Sequence, residues 1–114
     1  MKIINVAYIE EVCGGSREII IEMIDIFRQQ VPEFCNEMTD LLEHKKYYDL
    51  GLLAHKAKSS VAIMGMENMA RKLKELEIKA KAGEDTESYP QYIDDFNEAC
   101  KIALKDLDEY IKSL

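Results

Sequence analysis

The run Gly14-Gly15-Ser16-Arg17-Glu18-Ile19-Ile20-Ile21-Glu22-Met23-Ile24-Asp25-Ile26-Phe27-Arg28-Gln29-Gln30-Val31-Pro32-Glu33-Phe34 decides how this chain folds. Two glycines break the backbone and Ser16 is a natural N-cap. Apolar residues then recur at Ile20, Met23, Phe27, Val31, Phe34, Met38 and Leu41, at spacings of three and four. That period gathers them on one face of a helix, which must be buried against something. Pro32 falls inside the stripe, where its missing N–H and its ring oppose the helical hydrogen-bond ladder. The expectation is one helix bent near Arg28 to Val31, or two stacked end to end, over residues 16 to 44.

The same period continues downstream. Leu50, Leu53, Ala54, Ala57, Val61 and Met64 form the inner side of an element that begins near Tyr47, without a good N-cap, and ends at Gly65. Ala70, Leu73, Leu76 and Ala80 line a helix over Glu67 to Ala82, with Gly83 as its terminator. Gly83-Glu84-Asp85-Thr86-Glu87-Ser88 reads as a loop. Ser88 and Gln91 resemble a capping box, with Pro90 between them, before a last helix carrying Tyr92, Phe96, Ala99 or Cys100, Ala103, Leu107, Tyr110 and Ile111. Short connections between long amphipathic helices make neighbours antiparallel. The expected fold is all-α: an antiparallel up-down four-helix bundle over residues 16–112 with an N-terminal helical extension in residues 1–15, together one domain over 1–114.

Composition narrows the function classes. A chain of 114 residues, 47% hydrophobic and 32% charged, can bury a core without disulfides or metals, and no apolar run approaches the ~20 residues of a membrane span. Fifteen Lys+Arg against 22 Asp+Glu leave a net charge of −7, which argues against nucleic acid or an anionic membrane as the main partner. The first eleven residues turn acidic after a short apolar start and offer neither a signal-peptide core nor a cleavage site, so a cytoplasmic protein is expected. Cys13, Cys35 and Cys100 fit neither a disulfide framework nor a zinc spacing and read as three isolated thiols. His44 and His55 lack carboxylates placed to complete a metal site, and there is no Gly-rich nucleotide loop or kinase signature. No cofactor or resident metal is expected, and a monomer suffices to bury every stripe.

One segment carries chemistry: Leu53-Ala54-His55-Lys56-Ala57-Lys58-Ser59-Ser60-Val61-Ala62-Ile63-Met64-Gly65. On a helix, Gly51, His55, Lys58, Ser59 and Ala62 share a face directed away from the Ala54, Ala57, Val61 and Met64 stripe. His55 should therefore stand toward solvent among the small residues Gly51, Ser59 and Ala62, open to approach by another molecule. Neutral imidazole is a competent nucleophile near neutral pH. Lys58, three residues on, can offset phosphoryl charge in a transfer whose catalysis is mostly positioning and electrostatics. A lone exposed His near a Lys is usually a solvated residue, so the case rests on the whole string.

That string, His-x-x-Lys-Ser-Ser with a Gly ten residues after the His, resembles the signature of the histidine-containing phosphotransfer (HPt) family at His55, Lys58, Ser59, Ser60 and Gly65. The likeness extends to Gly14-Gly15-Ser16 before a long helix, Phe27 and Pro32 within it, the break near Lys45-Lys46-Tyr47, and Ala54 before the His. Ala57 and Ser59 stand where the family often has Leu and Gly, both still small enough to keep the approach path. The resemblance implies a phosphorelay intermediate that accepts a phosphoryl group on His55 from a receiver-domain aspartyl phosphate, or from a sensor kinase, and passes it to a response-regulator aspartate. It implies Lys58 as the phosphate-stabilising residue, Ser59 as the small neighbour needed for docking and Glu77 as the group that orients the ring. Its partners would be response-regulator receiver domains and a hybrid sensor kinase, with Mg2+ only on the partner receiver. The alternative is a non-catalytic helical docking module of a signalling system. Residues 55 to 82 hold seven basic against three acidic residues and the rest of the chain eight against nineteen, a cationic patch suited to the clustered aspartates of a receiver.

Overall fold

The computed structural model describes residues 3–114, and within them every regular element is a helix. α1 spans Val6–Val12, α2 Arg17–Glu43, α3 Tyr47–Ile63, α4 Glu67–Ala82 and α5 Tyr89–Ser113, with a single 3-10 turn at Thr86–Ser88. α2 to α5 form the antiparallel four-helix bundle and α1 is the N-terminal extension. The described residues together measure 43 × 23 × 20 Å. Among the described residues no helix is long and apolar enough to cross a membrane.

α2 begins where the chain says it should: the Ser16 side chain accepts from the Ile19 N–H, and the helix closes at His44. It is not split. The helix runs unbroken through Pro32, whose ring lies on the exposed side, so the expected two-segment alternative is not what forms. Ile20, Ile24, Phe27, Val31, Phe34 and Met38 are buried, and Met23 and Leu41 lie at the margin of the core.

α3 buries Leu50, Leu53, Ala54, Ala57 and Val61, and starts at Lys46 without a side-chain cap. Gly65 follows it with a φ of 73°, a left-handed conformation that suits glycine. The spot is also crowded: a Cβ there would come 2.4 Å from the Asn5 Cβ. The close fit exists because the Asn5 N–H donates to the Met64 carbonyl at 3.1 Å while its side chain caps α1 through the Tyr8 N–H. The N-terminal extension is thereby tied to the end of α3. The Tyr110 hydroxyl adds a second tie, donating to Glu10 at 3.0 Å.

The capping box expected at Ser88 does not form. Its hydroxyl donates backward to the Asp85 carbonyl at 2.8 Å, and α5 starts one residue later at Tyr89 with Pro90 in its first turn. The Ser88 backbone is right-handed helical (φ −82°, ψ −16°) where a capping residue is extended, so its hydroxyl closes the 3-10 turn and does not reach forward to Gln91. Tyr89, fully buried, stacks edge-on against Tyr47 at 5.4 Å. Its hydroxyl donates toward the Lys79 carbonyl at 2.9 Å and the Glu84 carbonyl at 2.6 Å, latching the end of α4 to the start of α5. Burial pushes all three thiols up, Cys100 to about 12, which keeps them protonated.

Candidate functional site

The site is built on the α3–α4 contact, the closest helix pair of the bundle. Gly51 on α3 comes up against the α4 backbone at Glu77 and Lys81, and Ala54 and Ala57 on the same helix are fully buried. On its other flank α3 is tied to α2 by the Ser60 hydroxyl, which donates to Gln30 at 2.9 Å. His55 projects outward between these supports with 58% of its side chain exposed.

The imidazole does not hang free. Its Nδ1 lies 3.1 Å from both carboxylate oxygens of Glu77 on α4. Glu77 in turn receives Lys81 Nζ at 2.9 Å and Lys58 Nζ at 3.5 Å. The carboxylate is only 13% exposed and has three cationic or hydrogen-donating neighbours. The hydrogen bond from Lys81 does most to hold its carboxyl down, to about 2, and the contact with His55 adds to this against the opposing effect of burial. Glu77 is therefore an acceptor-only carboxylate at neutral pH. A neutral ring donating Nδ1–H to it has its lone pair at Nε2, the atom on the solvent side.

Lys58 Nζ is 3.5 Å from the ring Nδ1 as well as from Glu77, a long contact in both cases. Its ammonium rests beside the ring, with 23% of the side chain exposed. Ser59 and Ala62 lie where the helical spacing places them: Ser59 is exposed, with its hydroxyl turned back to the His55 carbonyl at 3.5 Å, and Ala62 is half-buried. Neither carries bulk over the ring.

Gly51 is a correction. The spacing placed it with His55 on the solvent side, but it is buried against α4, beneath Lys81. A helical wheel measures direction from a helix's own apolar stripe and takes no account of where the next helix crosses. Lys81 is the residue whose part in the cluster exceeds its sequence signal; it lies four residues after Glu77, the i,i+4 spacing that pairs opposite charges on one helix.

Tyr48 and Leu52 on α3 and Ile78 on α4 are exposed apolar side chains on the helices that carry the site. Lys56, Arg71 and Lys74 are exposed cations on the same two helices. The arrangement offers a ring nitrogen with a carboxylate partner, positive charge beside it and an approachable surface of apolar and basic groups.

Residues 22–111 match the family model of the Hpt domain. No curated protein and no solved structure gives a significant match. The matched span runs from the first turns of α2 almost to the end of α5, and so takes in the bundle, the His55 string and Glu77. An all-helical four-helix bundle, the His-x-x-Lys-Ser-Ser string on its second helix, α3, and this coverage agree, and the chain belongs to the Hpt domain family, whose members carry histidine phosphotransfer in two-component signalling.

Proposed function

We propose that this protein is a phosphorelay intermediate in which His55 Nε2 is the phosphoryl acceptor. The observation that carries the reading is the contact between His55 Nδ1 and the Glu77 carboxylate, which supports a ring proton on Nδ1 and a nucleophilic lone pair on Nε2. The Nε2 lone pair attacks the phosphorus of a receiver's aspartyl phosphate. The N–P bond forms as the P–O bond to aspartate breaks, and the carboxylate leaves with the bonding pair. The ring, now bearing phosphoryl on Nε2 and a proton on Nδ1, is cationic, and Glu77 faces that charge. The reverse sequence delivers the group to a second receiver aspartate, with Mg2+ supplied by the receiver in each half-reaction.

Lys58 answers the charge on the other side. Its ammonium, held by long contacts, can leave Glu77 and follow the phosphoryl oxygens once they arrive. Ser59 and Ala62 leave room for the partner to bring its aspartate in line. The partners are receiver domains and a hybrid sensor kinase, the protein acts as a monomeric carrier in the cytoplasm, and it makes no phosphoryl group of its own.

Incubation with a phosphorylated cognate receiver should place acid-labile, base-stable phosphate on the protein, and His55→Gln should abolish it. Labelling that survives the substitution would overturn the reading and favour a docking module that uses the same face without chemistry.

A further inference from the structure

Gly51 lies four residues before His55, in the interior of α3, with an ordinary helical backbone. Nothing about a turn requires glycine there, and glycine is less favourable than alanine in a helix interior. The space around it explains the choice. A Cβ at this position would stand 2.8 Å from Lys81 Cγ, 3.0 Å from the Glu77 carbonyl oxygen and 3.1 Å from the Lys81 amide nitrogen. The Lys81 methylene could swing aside. The other two atoms are backbone, in the same last turns of α4 that the Tyr89 hydroxyl latches at Lys79 and Glu84, so α4 itself would have to give by some tenths of an ångström.

The backbone so displaced belongs to Glu77 and Lys81, the carboxylate against the His55 ring and the lysine that holds that carboxylate. A hydrogen bond of 3.1 Å has little to spare before it passes the 3.5 Å range in which such contacts still count. We infer that Gly51 is a positioning residue: its missing side chain sets the α3–α4 separation at which Glu77 reaches His55 Nδ1, and so fixes the tautomer that presents Nε2. Its bearing on transfer rests on the acceptor reading for His55; its bearing on the tautomer does not.

The test is 15N NMR on protein labelled at histidine, at a pH where the imidazole is neutral, comparing the wild type with Gly51→Ala. The wild type should show His55 chiefly as the Nδ1–H form. In Gly51→Ala the ratio of Nδ1–H to Nε2–H should fall at least threefold, although alanine is the better helix former. Single-turnover labelling by a receiver charged with acetyl phosphate should slow by a similar factor at saturating receiver, with receiver binding unchanged. An unaltered tautomer ratio in Gly51→Ala overturns the inference, as does a wild-type His55 without Nδ1–H preference. Should the variant not fold, the wild type still decides: absence of cross-relaxation between the Gly51 α protons and the Lys81 amide proton refutes the close approach. Failure of the acceptor reading shows separately, as phosphorylation that persists in His55→Gln, and leaves the tautomer result standing.

Discussion

The α3–α4 pair and the α2–α5 pair both bury an apolar seam, but by opposite means. α3 meets α4 closely at Gly51, which has no side chain, and its buried face also carries the small Ala54 and Ala57. α2 meets α5 through large ones, with Phe34 and Phe96 edge to face at 6.4 Å. Their charges are opposed as well: α3 and α4 carry seven basic against four acidic residues, and α2 and α5 five against thirteen. Small residues bring backbones together and so hold polar side chains on the outer edge at set distances. Large residues bury more area per contact and so supply stability. One half of the bundle is built for placement and the other for cohesion.

The largest effect that would break this division comes from the cohesive half. Phe96→Ala should cost about 3–5 kcal/mol in urea unfolding, because a fully buried ring leaves a cavity. In the fraction that remains folded, the His55 tautomer should be unchanged. A loss under about 1 kcal/mol would remove α2–α5 as the source of stability.

Next in size is Glu77→Gln. The folded-state carboxyl is held below its ordinary range, so its ion pairs stabilise the protein above about pH 4.5 and that stabilisation is lost as the pH falls toward 2. The glutamine variant should be less stable by about 1–2 kcal/mol at pH 7, the loss being discounted for the exposed ends of both lysines. The gap should close between pH 4.5 and 2 in denaturation curves followed by circular dichroism. Parallel curves at all pH values would show that Glu77 is not the anchor of the cluster.

A smaller effect is kinetic. Lys58→Ala should leave unfolding midpoints within about 0.5 kcal/mol of wild type and slow single-turnover phosphoryl acceptance about tenfold, corresponding to about 1.4 kcal/mol of transition-state stabilisation. Unchanged kinetics would take Lys58 out of the transfer. The least effect concerns approach. Arg71→Glu with Lys74→Glu should slow receiver association a few-fold at low salt, with the difference vanishing at high salt. Association insensitive to ionic strength would show that the cationic half does not steer.

Much of this was legible in the residues. Ser16 and Gly83 mark helix ends by their own chemistry, and the long stripe from Ile20 to Leu41 needs no tertiary knowledge to be read as a buried face. The family string led to His55 and, through the resemblance, to Glu77, though only the fold shows that the carboxylate meets Nδ1. The readings that failed needed a neighbour. Ser88 reads as a cap until the 3-10 turn before α5 sets its backbone in the helical region and turns its hydroxyl back to Asp85. Gly51 looked like open surface because the crossing of α4 is a property of two helices, whereas periodicity describes one. Tyr89, a central side chain of the core and of the α4–α5 latch, is missed because the apolar stripe of α5 is counted only from Tyr92, beyond Pro90.

The exposed edge of the His55 ring is a single point on a body only 23 by 20 Å in cross-section. On the proposed reading, a receiver seated over Nε2 covers the one atom that any other receiver must reach. Donor and acceptor cannot be present together. The carrier then works as a turnstile: each partner has to depart before the next is admitted, and the traffic it passes is governed by how quickly a discharged receiver lets go.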